Sequence, residues 1–220
     1  MTALQNNANH TGIYNFSIKN LEILTMAQGK QAKVITRHQE RAVLDHLGDT
    51  HNPERDRVMF LLSLKAGLRA KEISALTWSM ITDDSEEVGD CMALPDNASK
   101  GKSGRTVYLH PDLKQALEIL RVVSPDTRGN WPVIYSTRNW GLSAAAVKEW
   151  FSRLYRNLRM DGCSSHSGRR TFITRAAREV SHVGGSIRDI QQLAGHASLA
   201  MTQRYIEGDT DAKRRLIGRV

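Results

Sequence analysis

Three short strings in the last third of the chain follow one another in order: His166-Ser167-Gly168-Arg169, Leu193-Ala194-Gly195-His196, and then Tyr205. A fourth, Ala66-Gly67-Leu68-Arg69-Ala70-Lys71-Glu72, lies far upstream. Two arginines, two histidines and a tyrosine suit attack on a phosphodiester. Such an ester is an anion, and its transition state gathers more charge on the non-bridging oxygens. A guanidinium donates two parallel charge-assisted hydrogen bonds and keeps its proton. Two of them from distant segments can clamp both oxygens with no metal. A tyrosine hydroxyl, with a pKa of about 10, is a poor nucleophile until a base or cationic neighbours help it. Histidine titrates nearest to neutrality and suits that task. The leaving 5′ oxygen then needs a proton, which a lysine flanked by arginines can give.

These residues need a scaffold, and local signals predict one that is mostly helical with one small antiparallel sheet, an α+β fold. Thr36-Arg-His-Gln39 reads as a capping box opening a helix through Leu44 and Leu47. Pro53 starts the next, with Val58, Leu61, Leu62 and the stem of Lys65 as its apolar face. Gly67 is the expected left-handed cap at its end. Arg69 then falls in a turn between two helices, with Glu72, Ile73 and Leu76 on the second. Val88 to Leu94 and Thr106 to Leu109 read as strands, joined by the turn-rich Pro95–Gly104. Pro111 and Ser143 open two further helices, and another follows His166. The helix capped by Ser186 and Asp189 stops at Gly195, and Ser198 caps the one that carries Tyr205.

Composition is consistent with an anionic partner. The 220 residues carry a formal net charge of +8, with 40% hydrophobic and 25% charged residues. Two cysteines, Cys91 and Cys163, have no ligand spacing and suggest no disulfide framework, which favours a reduced, cytoplasmic setting. No apolar run reaches the roughly 18 residues of a membrane span, and the first residues do not read as a signal peptide. Residues 1–35 read as a polar arm and 36–220 as one domain with a short tail.

Taken singly, each site residue has an ordinary structural role. Arg69 suits a helix terminus, and Glu72 the first turn of a helix. His196 suits an interhelical turn, and Tyr205 a half-buried helix face. Their joint order resembles the catalytic signature of the tyrosine recombinases, the phage-integrase family. That family carries an arginine after a Gly-Leu turn, a lysine in a β-hairpin, a His-x-x-Arg, a Gly-His, and a tyrosine about nine residues later. Local text agrees: Glu72-Ile-Ser-Ala-Leu-Thr-Trp78 after the first arginine, and Thr202-Gln-Arg-Tyr205 at the end.

The resemblance implies that Arg69 and Arg169 bind the scissile phosphate, with His196 as third ligand. His166 would take the proton of Tyr205, and Glu72 would hold the site together. Lys100 would be the hairpin acid, with Lys102 in the same loop as the alternative. Lys102 and Arg105 are expected on the DNA backbone, and Arg170 in a salt bridge or on a backbone phosphate. It implies a 3′-phosphotyrosine intermediate with no metal, ATP or other cofactor. The partners it implies are double-stranded DNA, a homotetramer on that DNA and accessory DNA-binding proteins. A type IB topoisomerase and a non-catalytic DNA-binding regulator share this chemistry or fold and stay open as alternatives. Many members add an N-terminal helical domain that the polar stretch before Thr36 is too short to build. The tail, from Gly208 onward, is expected to dock on a neighbouring subunit through Ala212, Leu216 and Ile217.

Overall fold

The computed structural model describes residues 31–95, 104–138, 140–205 and 217–218. The architecture is therefore that of the unit Ala32–Val220. Most of the expected arm, the loop holding Lys100 and Lys102, and nearly all of the tail lie outside the described residues.

Eight α-helices and one hairpin are described: α1 (Arg37–Gly48), α2 (Pro53–Lys65), α3 (Ala70–Ser74), β1 (Cys91–Leu94), β2 (Arg105–Tyr108), α4 (Pro111–Val123), α5 (Ala144–Asn157), α6 (Ser167–Glu179), α7 (Ile187–Ala194) and α8 (Leu199–Gln203). The strands pair antiparallel, with Cys91 opposite Tyr108 and Leu94 opposite Arg105. The expected α+β class therefore holds. The first strand is shorter than expected because Val88 pairs back with Thr82 in an isolated bridge before the ladder begins.

Local capping chemistry sets most helix ends. Thr36 accepts from the Gln39 N–H while the Gln39 side chain accepts from Thr36 N. Ser186 and Asp189 form the same reciprocal pair at α7. Pro53 and Pro111 occupy first-turn positions, where a missing N–H costs nothing. Gly67 (φ +65°) follows α2 and Gly195 (φ +58°) ends α7, both left-handed.

The helix α2 departs from the amphipathic reading. Met59, Phe60, Ser63 and Leu64 are as buried as Val58, Leu61 and Leu62. It packs against α1, α4 and α6, which leaves solvent contact mainly to its first turn and Arg57. Around it lies the main core, which includes Leu47, Trp78, Val107, Leu117 and Phe151. A second, smaller cluster joins Ile173, Ile190 and Ala194, with Phe172, Val180 and Tyr205 packed against it.

The contact of α2 with α6 is close. A Cβ placed on Gly168 would lie 2.4 Å from Ser63 Oγ and 3.0 Å from the Ser63 carbonyl carbon. Gly168→Ala is expected to push the two helices apart, as overpacking does at a cost of about 1–3 kcal/mol. Urea unfolding of the variant, read against the parent chain, measures that loss. An unchanged midpoint would mean that the interface yields freely.

Candidate active site

The C-terminal end of α7 is the meeting point. A helix leaves its last carbonyls without intrahelical partners, and the helix dipole puts negative charge there. Three successive carbonyls accept from three different arginines. Leu193 O accepts from Arg105 Nε (3.1 Å), Ala194 O from Arg169 Nη2 (2.5 Å) and Gly195 O from Arg69 Nη2 (3.2 Å). These arginines come from β2, α6 and the turn before α3. The left-handed Gly195 gives the reversal that exposes the carbonyls. A Cβ there would meet Arg105 Nη1 at 2.7 Å.

Arg169 also donates to Gly67 O (2.6 Å), so its guanidinium ties the turn that carries Arg69 to the turn that carries His196. Arg169 is buried. Burial, then the charge of Arg69, pulls it down to about 10, which leaves it protonated at neutral pH.

Glu72 is the counter-charge. Its Oε1 pairs with Arg69 Nη1 (3.0 Å) and Arg105 Nη1 (2.8 Å). Its Oε2 accepts from the Arg69 backbone N–H (2.7 Å), which makes it the N3 carboxylate that caps α3. Burial would raise its pKa, but the hydrogen bond and charge of Arg105, followed by Arg69, outweigh this and hold it below the ordinary value. One carboxylate against three guanidinium groups leaves the site cationic.

His196 is buried in the turn after Gly195. Its backbone is bracketed by Gln191, which accepts from His196 N (3.0 Å) and whose side chain donates to His196 O (3.1 Å). Nδ1 lies 2.9 Å from Thr202 Oγ1. Burial, then Arg169, Arg69 and Arg105, pushes its pKa down to about 4, so the ring is neutral at neutral pH.

Tyr205 lies one residue beyond Arg204, the C-cap of α8, rather than within the helix as expected. The five-residue helix is too short to reach it. Its ring stacks on His196, with centroids 5.6 Å apart and planes 20° from parallel. The Arg170 guanidinium carbon lies 5.9 Å from the same ring centre.

The structure thus gathers Arg69, Glu72, Arg169, His196 and Tyr205. His166 caps the start of α6, partly exposed, with no side-chain bond to the helix. Partial burial, then Arg169, Lys148 and Arg69, lowers its pKa. Among the described residues, the ring and cation contacts of Tyr205 are with His196 and Arg170.

One expected DNA contact is placed otherwise. Arg105 commits its donors to Glu72 and Leu193 O, and only 7% of its side chain is exposed, so it works inside the site. Arg170 lies over Tyr205. Thr202 was not among the expected site residues. Its only sequence signal was its position three residues before Tyr205 on a short helix. A cleft of about 750 Å³ opens beside the site between β2 and α7, lined by Tyr108, Arg188, Gln192 and His196 among others. No three His, Cys, Asp or Glu side chains gather for a metal ion among the described residues.

The comparisons agree with this architecture. The family model described as Phage integrase family matches residues 33–211, and the chain belongs to that family. The tyrosine recombinase XerC of Brucella suis biovar 1 (strain 1330) is 30% identical over 158 residues, 71% of this chain and 47% of the relative. The tyrosine recombinase XerD of Rickettsia conorii (strain ATCC VR-613 / Malish 7) is 23% identical over 195 residues, 84% of this chain and 62% of the relative. The chain spans about half the length of the first of these. In fold, it matches a Tn1549 transposon integrase in complex with a circular intermediate DNA, with TM-score 0.69 and 17% identity over 94% of this chain and 75% of that one. It also matches XerA recombinase, with TM-score 0.63 and 24% identity over 86% and 65%.

Glu72→Gln keeps the size but leaves Arg69 and Arg105 without a counter-charge. Breaking a buried pair costs about 3–5 kcal/mol, and a loss of that order is expected at pH 7. The folded pKa of Glu72 is depressed. Its contribution is therefore complete above the ordinary 4.5 and lost as pH falls through the lower folded value. Urea melts of both proteins at pH 7 and in the acid range measure this. The gap between them should close in acid, and a gap that stays constant would refute the account.

Proposed function

We propose that this chain cuts and rejoins DNA at specific sites as a recombinase, through a covalent tyrosyl intermediate. The observation that carries the proposal is the pocket in which Arg69, Arg169 and His196 converge beside the Tyr205 ring, with Glu72 as the counter-charge among the described residues. Such a site favours an anion whose charge grows during reaction.

In the reaction, Arg69, Arg169 and His196 hold the non-bridging oxygens of one DNA phosphate. The Tyr205 oxygen attacks phosphorus, and the bond to the 5′ oxygen breaks. The product is a 3′-phosphotyrosine and a free 5′ hydroxyl, with the leaving oxygen protonated by Lys100 or Lys102. The phenol proton passes to a base, for which His166 is the candidate. Attack by the 5′ hydroxyl of a second duplex reverses the step, so the phosphoester linkage is conserved and neither ATP nor a metal is required. Exchange between two duplexes calls for a homotetramer on DNA, with accessory DNA-binding proteins choosing the outcome. The setting is the cytoplasm, on the nucleoid.

The test is incubation with duplex DNA taken from beside the coding sequence, followed by mapping of any covalent protein–DNA adduct. The adduct should form in EDTA and carry DNA on Tyr205. Tyr205→Phe is expected to abolish it while DNA binding survives, because one lost oxygen removes the nucleophile and leaves the cationic pocket. An adduct that persists in this variant would falsify the assignment. A wild-type chain that binds this DNA and relaxes supercoils at any sequence would instead make it a relaxing enzyme.

Arg69→Lys keeps the charge but not the fork. Loss of one oxyanion donor typically costs on the order of 10²–10³ in rate, and a fall of that size in adduct formation is expected. Single-turnover cleavage at saturating DNA measures it, and a rate near that of the parent would show that the clamp lies elsewhere.

A further inference from the structure

His196 can serve the phosphate only if it presents a hydrogen on the side away from α8. A neutral imidazole has one N–H and one lone pair, and which nitrogen holds the hydrogen is set by the partner of the other. Here the partner of Nδ1 is Thr202 Oγ1, at 2.9 Å, with both residues buried. A hydroxyl can donate or accept, so the 2.9 Å contact fits either tautomer.

The surroundings of Thr202 decide between them. Its side chain is fully buried, and its hydroxyl has one hydrogen to place. Elsewhere in the chain, helical hydroxyls place theirs on the carbonyl four residues back: Thr171 on Ser167 O at 2.7 Å, Ser124 on Leu120 O at 2.8 Å. Among the described residues Thr202 has only Nδ1. If Nδ1 carried the hydrogen, the hydroxyl hydrogen would be buried with no acceptor, a costly arrangement. If the hydroxyl donates to Nδ1, both groups are satisfied.

The other faces of the ring do not oppose this. The donors of Arg69, Arg105 and Arg169 are directed at Glu72 and at the carbonyls of Gly67, Leu193, Ala194 and Gly195. Tyr205 covers one ring face by stacking. The low pKa of the ring keeps it neutral, so the tautomer matters at working pH.

We infer that Thr202 is a positioning residue: its hydroxyl donates to Nδ1 of His196 and fixes the Nε2–H tautomer, the form that can donate to a phosphoryl oxygen. The inference rests on the recombinase reading for its purpose, but the tautomer itself is a property of the unliganded chain.

Nitrogen-15 NMR of the full chain labelled at histidine tests it at neutral pH. His196→Gln identifies the His196 signals. In the parent chain Nε2 should show the protonated shift and Nδ1 the unprotonated one. A protonated Nδ1 would overturn the inference, whatever the chain does to DNA. Thr202→Val, nearly the same shape without the hydroxyl, should move the ring toward a mixture of tautomers, while Thr202→Ser should restore the parent pattern. Covalent adduct formation should fall on the order of tenfold in the valine variant, the worth of about one hydrogen bond, and recover in the serine variant. A parent tautomer that persists in Thr202→Val would also overturn it. If the parent chain forms no adduct while its tautomer is as stated, the recombinase reading fails and the Thr202 assignment stands.

Discussion

Much of the site depends on the last carbonyls of α7. A helix end is ordinarily satisfied by water, a cap or a tighter final turn. Here Leu193, Ala194 and Gly195 each receive a different guanidinium, and those three arginines come from parts of the chain far apart in sequence. Partially negative carbonyls at the end of a helix favour nearby cations, so they help three like charges share a small volume. Arg169 goes furthest, because its other nitrogen holds Gly67 and so sets the distance between the two turns.

That arrangement also divides labour between structural and available charge. Arg105 and Arg169 are nearly enclosed, and the atoms they use in the free chain belong to the protein. Arg69 is more open, with 21% of its side chain exposed. Glu72 balances part of the charge without removing it, since its carboxylate is shared by two arginines. His196 remains neutral among them because burial and three cations oppose its protonation. The guanidinium groups are thus held in place by carbonyls and Glu72 before any anion arrives.

Elements whose signals are local were readable from sequence. Thr36 with Gln39, Ser186 with Asp189, Pro53, Gly67 and Gly195 each act within a few residues, and the structure places them as expected. The order of Arg69, Arg169, His196 and Tyr205 was equally plain. What needed the structure was set by neighbours distant in sequence. The unbroken burial of α2 from Val58 to Leu64 comes from helices packed on several of its sides, which its own periodicity cannot express. Arg105 looked like a surface arginine because its partner, Glu72, lies 33 residues away. Tyr205 was placed inside a helix because nothing near it marked the stop at Gln203. Thr202 stood in the string that ends at Tyr205, but nothing in that string marked it as the partner of His196.

The small apolar cluster of α6 and α7 has a mechanical consequence. Tyr205 packs on that cluster, outside the main core around α2. It follows a five-residue helix, and so short a helix has almost no stability of its own. The segment from Ser198 to Tyr205 can therefore open and reclose as a local unit while the main core stays folded. What holds it is its packing on that cluster, the His196 stack, the Thr202 hydrogen bond and the Arg170 guanidinium. The Tyr205 ring thus belongs to a short segment that can withdraw while the arginines gathered on the α7 carbonyls stay in place.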